Sequence, residues 1–296
     1  MSIEPPSGVN RDRLETKIPS GRKFYFLRLL TIPERIAFAF LVILVLVVTL
    51  VPMFLPYTAE QQNFDDGLLL PPGSANHILG TDQLARDLLS RLLLGARVSL
   101  SIALGSVAIG LVVGAIIGIT AGYRGGWMNT TLMRVMDSLQ AFPTMVLALV
   151  IAAGLGPSYQ STVIAISVVM VPGFARVSRT LTLRERDKDY VLASRVAGAK
   201  GLRIATTQVM PNIWAPLAAQ AAVAFAHAIP GEAALSFLGL GVQPPTPSWG
   251  NMMADGYAYI SLSPWPIIAP AVALALTVAS VSVFADGLQR ISGEEH

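Results

Sequence analysis

The side chains able to do chemistry are few and scattered. Histidine occurs at His77, His227 and His296, and cysteine does not occur. Thiol nucleophiles, disulfides and cysteine-ligated zinc or iron–sulfur sites are therefore excluded. No Gly-Lys dipeptide is present, so the chain has no Walker-type phosphate loop. The HExxH pattern of zinc hydrolases and the GxSxG pattern of serine hydrolases are also missing. No catalytic or metal-ligating set is expected. What remains is isolated polarity in apolar surroundings, at Gln220, His227 and Glu232. A polar residue inside a membrane is a functional candidate by default. These three are the candidates for a translocation path. Helix–helix hydrogen bonding is the plainer role for Gln220 and His227. Interfacial water is the plainer surrounding for Glu232, which follows Pro230-Gly231.

Composition points to the elements that must position them. Of the 296 residues, 53% are hydrophobic and 13% are charged. A soluble domain carries about 25% charged residues. The mean hydropathy is +0.59. These values exclude a disordered chain and argue against an ordinary soluble enzyme. A net charge of +3 is too mild to argue for nucleic acid.

A charge at the centre of a spanning helix costs about 2.5–3.5 kcal/mol. Charge-free runs therefore mark spans, and they predict six helices, at about 36–55, 98–122, 141–154, 161–178, 211–231 and 265–286. Twenty residues of helix rise about 30 Å, the thickness of a hydrocarbon core. The first run is too long for a cleaved signal peptide and follows 35 polar residues. The uncharged run 138–175 is too long for one span and breaks at Gly154-Leu155-Gly156-Pro157. The uncharged stretch 233–254 is interrupted by Gly239, Gly241, Pro244, Pro245, Pro247 and Gly250. It suits a re-entrant or surface half-helix followed by a loop. The segment 56–97 suits an outer-surface piece whose end, with Arg86, Arg91 and Arg97 spread along it, is an interfacial helix leading into the second span.

Positive charge orients the bundle. With both termini cytoplasmic, 18 of the 21 Lys and Arg lie inside. Residues 1–35 then form a cytoplasmic segment, 36–290 the membrane domain and 291–296 a cytoplasmic tail. The 123–140 loop, with Trp127, Met133, Arg134 and Asp137, suits a short helix on the inner surface ended by Pro143.

The second span carries Ser106, Gly110, Gly114, Gly118 and Gly122, each four residues apart. Positions four apart share a helix face. A row of small residues there lets another helix approach closely.

The longest internal loop, 176–212, is dense in charge at its start. It continues DYVLASRVAGAKGLRIATTQVMPN, residues 189–212. Asp189, Tyr190, Ala193, Ser194, Ala197, Gly198 and Ala199 lie within about three helical turns, and Pro211 stops the loop. Ala193, Ala197 and Gly198 are small enough for a partner to pack close, and Gly198 is placed to cap a helix. The spacing predicts a helix–turn–helix on the cytoplasmic surface.

That loop resembles the coupling loop of binding-protein-dependent ABC importer permeases. Leu192-Ala193-Ser194 stands where the family has Glu-Ala-Ala, Gly198 follows at the family spacing, and Met210-Pro211 replaces the closing Leu-Pro. HILGTDQLARDLLSRLLLGARVSL (77–100), GGWMNTTLMRVMDSLQAFP (125–143) and LSFLGLGVQPPTPSWGNMM (235–253) resemble the C-type subunits of dipeptide/oligopeptide permeases. Two departures are Ala85, where Gly precedes Arg-Asp in the family, and Asn129, where Asp is common.

The resemblance implies an all-α membrane protein with the type I ABC importer permease fold, in the plasma membrane of a prokaryote. It implies a second, homologous permease subunit and two ATP-binding subunits docked on the 176–212 and 123–140 loops. It also implies an extracytoplasmic peptide-binding protein. ATP and Mg would be bound by the ATPase partners, and no cofactor by this chain. Nickel or another small solute is the alternative cargo. A stand-alone secondary transporter or channel would place Asp, Glu, Lys or Arg within the span cores, which hold none of these four, and a membrane enzyme would need a catalytic cluster.

Overall fold

The computed structural model describes residues 29–74 and 77–294. Residues 1–28, most of the segment assigned above to the cytoplasm, and the last two residues of the tail, lie outside the described residues. The described chain is helical, with no strand, only isolated bridges in the outer segment.

Helix α1 (Ile32–Leu50) is followed by α2 (Leu88–Arg124), α3 (Gly126–Gln140), α4 (Thr144–Leu155) and α5 (Tyr159–Arg186). Then come the short α6 (Asp189–Val196) and α7 (Gly201–Ile204), a π-helical turn (Ala205–Val209) and α8 (Met210–Phe237). Helices α9 (Trp249–Tyr257) and α10 (Trp265–Glu294) complete the chain. Five helical rods are long and apolar enough to cross a membrane: α1, α2, α5, α10 and the continuous α7–α8 rod. Helices α3 and α4 meet at 90° and together make the sixth candidate.

The ends of the chain explain why the bent pair must count. Arg290 near the end of α10 donates to Glu34 Oε2 at 2.9 Å and to the Leu29 carbonyl at 3.0 Å. Phe38 and Phe284 extend the contact, with ring centroids 5.3 Å apart. The first span starts and the last span ends on one face, so the number of crossings is even. Yet α4, with 12 residues, rises only about 18 Å. It starts after Pro143, and only together with α3, across the 90° bend, does it reach the length of a candidate span.

Several helices outrun the lengths expected from charge-free runs. Helix α2 starts at Leu88, ten residues before Val98, because Asp87 caps it by accepting from the Ser90 amide at 2.8 Å. Arg91 does not interrupt it because its charge is met inside the protein, by Asp82 Oδ2 at 3.3 Å from Nε. Helix α5 runs to Arg186 as a solvated extension, and Pro211 begins α8 without breaking the rod from α7.

The outer segment corrects the reading of an interfacial helix with arginines along it. Arg86 and Arg91 are buried, and both turn onto buried Asp82. Asp82 also accepts from the amides of Leu84 (2.9 Å) and Arg86 (3.0 Å). Arg91 donates onward to the Ala59 carbonyl at 3.1 Å. His77 sits between Asp87 Oδ1 (2.9 Å) and Asp66 Oδ2 (3.2 Å) and stacks on Tyr57. Ala85 has φ +56° and is fully buried, which explains the family's glycine there. Arg97 reaches the carbonyls of Val48 (2.7 Å) and Thr49 (2.8 Å), closing the C-terminal end of α1.

Burial raises the carboxyl of Asp255 on α9 above its ordinary value, against the pull of Arg91 and Arg86. Asp255 lies 3.9 Å from Arg86, so Asp82 carries the close pairing.

Candidate functional site

The glycine row on α2 faces α5. A Cβ added at Gly114 would lie 2.5 Å from Phe174 Cβ and 2.8 Å from the Val171 carbonyl. One at Gly118 would strike the Ala175 carbonyl and approach Ser178 Cβ to 2.6 Å. Gly122 meets Thr182 Cβ at 2.9 Å, and Gly110 meets Met170 Cβ at 3.1 Å. Ser106, one turn before, donates to the Val163 carbonyl at 3.2 Å. Along this seam the two backbones touch with no side chain between them. Arg186 extends it past the membrane by donating to the Gly122 carbonyl at 2.7 Å.

The loop between α5 and α8 is built as a seated helix. Val191, on the underside of α6, is wholly buried against Ile204, Val209, Ile213 and Leu217, with Ala115 of α2 in the same cluster. Its outer side is open: Asp189, Tyr190, Ala193, Ala197 and Gly198 are exposed, as is Pro211, while Ser194 and Ala199 are half-buried. Val196 is 90% exposed. A large exposed apolar group beside a positively charged loop is a candidate contact for a partner.

Gly198 ends α6 at φ +83°, with its amide on the Arg195 carbonyl (3.0 Å) and the Ala199 amide on the Ser194 carbonyl (3.0 Å). The second of these is the long bond of a glycine C-cap. Polar contacts tie the loop to its neighbours. Tyr190 Oη donates to Glu185 and accepts from Asn212 at 3.0 Å, Gln208 donates to Ser194 Oγ at 2.6 Å, and Lys188 pairs with Glu185 at 2.8 Å. Sequence reasoning did not single out Glu185, Gln208 or Asn212. Glu185 lies at the end of α5, Gln208 in the π turn and Asn212 in α8, so only the folded loop brings the three to α6.

Helix α3 is held to α5 by Arg176–Asp137 (2.6 Å) and by Arg179 Nε donating to Asn129 Oδ1 (2.5 Å). An Asp at 129, as in the family pattern, would make that second contact an ion pair.

The three polar candidates of the spans separate. Gln220 and His227 line one cavity of about 250 Å³ between α4, α5 and α8, with Gln140 also at its wall. Glu232 does not line it. It is fully buried, and Ser236 Oγ donates to its Oε1 at 2.6 Å. Its surroundings are the junction of α8 with α9. There Gly250 packs on the Ala233 carbonyl, and Trp249 donates to Ser99 Oγ (3.1 Å) and to the Leu92 carbonyl (3.2 Å). The 233–254 stretch is thus the end of α8, a loop and α9, clamped onto α2. Among the described residues, no group of three His, Asp or Glu is placed to hold a metal ion.

Comparison with known proteins agrees with this architecture. The chain is 44% identical over 255 residues to a di/tripeptide transport system permease protein, DppC, of Pseudomonas aeruginosa, covering 84% of each chain. It is 35% identical over 292 residues to a dipeptide transport system permease protein of Alkalihalophilus pseudofirmus, covering 98% of this chain and 94% of that one. The fold matches a chain of the MetNI methionine ABC transporter in an inward-facing conformation, with a TM-score of 0.55 at 18% identity, over 69% of this chain and 97% of that one. Residues 89–294 match the family described as the binding-protein-dependent transport system inner membrane component, and the chain belongs to that family.

Proposed function

We propose that this chain is one of two membrane subunits of an ATP-driven importer of short peptides, coupled to two ATPase subunits through α6 and its flanking turns. The observation that carries this reading is the seating of α6. Its exposed face carries the small Ala193, Ala197 and Gly198 beside Tyr190, Arg195 and Val196, and its buried face is locked by Val191 into the cluster that joins α2 and the α7–α8 rod. A partner that displaces α6 must displace the rod as a unit, because close-packed interiors transmit strain. The rod carries Gln220 and His227 along the wall of the α4–α5–α8 cavity. We place the translocation path there, completed by a homologous second subunit. ATP binding in the partner subunits then biases two packings of one bundle. The chain acts as lever and wall, not as catalyst. Glu232, away from that cavity, is a positioning residue for α9. The peptide cargo rests on the names of the relatives, and an extracytoplasmic binding protein on the family. The excess of Lys and Arg in the terminal segments and the 123–140 and 176–203 loops supports cytoplasmic termini in a prokaryotic plasma membrane.

The first test is co-purification of the tagged chain from its native membrane in mild detergent. The expected result is a second permease and ATPase subunits whose ATP hydrolysis rises with binding protein and short peptides. A chain that runs alone, with no ATPase across several detergents, refutes the proposal and leaves a stand-alone carrier.

The second test is Gly198→Val. No atom lies within 4 Å of a Cβ at this site, so the chain itself has room. The cost arises from the left-handed backbone, about 1–2 kcal/mol for a non-glycine residue. That corresponds to roughly a 5–30-fold shift away from the capped form of α6, and peptide-stimulated hydrolysis should fall with it, because the ATPase docks on the capped form. Gly198→Asn, which tolerates this conformation, should retain most coupling. Full peptide-stimulated hydrolysis in the Val variant would remove α6 from the docking surface.

Orientation is tested by single cysteines in this cysteine-free chain. Position 190 should react with impermeant thiol reagents only from the inside and position 245 only from the outside. The reverse pattern overturns the topology.

A further inference from the structure

A second cavity lies apart from the translocation path. It is a groove of about 640 Å³ between the cytoplasmic half of α2 and the α7–α8 rod. Leu111, Val112, Ile116 and Ile119 form one wall, and Leu202, Ala205 and Trp214 form the other. Ile116 is 61% exposed and Trp214 51%, so the groove is open along its side. Its end at the membrane surface is formed by Tyr123 and Arg124.

We propose that this groove binds an anionic phospholipid of the inner leaflet, with an acyl chain between α2 and the rod and the phosphate on Arg124. The assignment rests on the orientation proposed above, and three observations carry it.

The first is length. Leu111 and Arg124 are separated by 13 residues of one helix, a rise of about 20 Å. That is about half of a 40–45 Å bilayer, hence one leaflet. The second is polarity. The groove is apolar at the midplane end and cationic at the surface end, and no Asp or Glu lines it. Arg124 donates only weakly, to Met128 Sδ at 3.6 Å, which leaves its other donors for a phosphate. The Arg195 guanidinium lies 5.8 Å from the Tyr123 ring, and Lys200 and Arg203 flank the lining residues Gly201 and Leu202. Basic pockets between spans on the cytoplasmic side are matched to anionic headgroups. The third is the wall itself. Ala205 and Thr206 belong to the π turn, and π turns concentrate at functional sites.

The consequence is mechanical. Ile204 and Val209, which seat α6, lie on the same rod whose other side faces the groove. An acyl chain there braces the return limb of the coupling loop against α2. Lipid composition then sets how firmly a displacement of α6 reaches α8.

The test uses the purified complex, compared as wild type, Arg124→Gln, Val112→Trp and Val112→Leu. Bound lipid is read by native mass spectrometry after exchange into mixed phosphatidylglycerol and phosphatidylethanolamine. Wild type and Val112→Leu should hold one phosphatidylglycerol more per copy than Val112→Trp, whose indole fills the groove. Arg124→Gln should lose at least fivefold of the preference for phosphatidylglycerol. Peptide-stimulated hydrolysis in nanodiscs should fall severalfold when phosphatidylglycerol is replaced by phosphatidylcholine, in wild type but not in Val112→Trp. Equal lipid complements in all four proteins overturn the proposal. So does a cysteine at position 116 that cross-links to a neighbouring subunit rather than reacting with a membrane-dissolved reagent. Loss of the ATPase partners with the lipid difference intact would refute the importer reading and keep the lipid site.

Discussion

Gly118→Leu is expected to prevent stable folding of the membrane domain. At this position the α2 and α5 backbones are in contact, and even a Cβ would overlap the Ala175 carbonyl and crowd Ser178 and the Arg179 amide. The obstruction is backbone, so no rotamer change relieves it. Overpacking a close-packed site costs about 1–3 kcal/mol where side chains give way. Here the helices themselves must separate, opening the seam at Gly114 and Gly122 as well. Gly118→Ala should already lower the melting temperature by several degrees in a detergent thermal-shift assay, and Gly118→Leu should leave little monodisperse protein. Gly154→Ala, with no atom within 4 Å of the added Cβ, is the matched control. Wild-type melting for Gly118→Leu would mean that α2 and α5 do not meet along this face.

Asp82→Ala is expected to unfold the outer segment and with it the N-terminal end of α2. The substitution leaves Arg86 and Arg91 buried without the carboxylate that both share. Breaking one side of a buried pair costs about 3–5 kcal/mol, because the remaining charge is desolvated and unpaired. Two backbone amides lose their acceptor as well. The measurement is limited proteolysis from the outer side, where cleavage within 56–87 should rise at least tenfold. Asp255→Asn should behave as wild type, since burial already disfavours the ionised form of that carboxyl and its arginine is 3.9 Å away. Asp82→Ala combined with Arg91→Leu should recover part of the loss. If Asp82→Ala and Asp255→Asn are equally resistant, the network around Asp82 does not hold the segment.

These two sites also show what a sequence reveals and what it hides. The glycine row was legible because it depends only on spacing along one helix, and the spacing of four admits one reading. Gly198 was legible for the same reason, since a C-cap is a local event. The Asp82 network was not. Arg86 and Arg91 look like a charged helix face until their partner is known, and that partner lies in a loop whose path depends on Ala59, His77 and Asp66. Helix ends followed the same division. Charge-free runs marked the long apolar helices but set the start of α2 ten residues late, because hydropathy charges Arg91 with a cost that Asp82 removes. Gln220 and His227 read as helix-packing residues and Glu232 as an interfacial one, and all three stood as candidates for one path. Only the packing of α9 against α8 separates the buried carboxylate from the two residues at the cavity wall.

The contact between Glu34 and Arg290 joins residues 256 positions apart. Ribosomes add about 5–20 residues per second, so roughly 13–50 s pass between emergence of the two partners. Through that interval α1 stands in the bilayer before its docking surface on α10 has been made. Its sequence suits the wait: mean hydropathy reaches 3.0 over its core, and only 11% of that window is buried in the finished fold. Closure of the bundle is therefore a late event in biosynthesis. A chain truncated before position 290 would be inserted yet unlatched, its Glu34 left with the Thr31 amide of its own helix cap as partner at 2.6 Å.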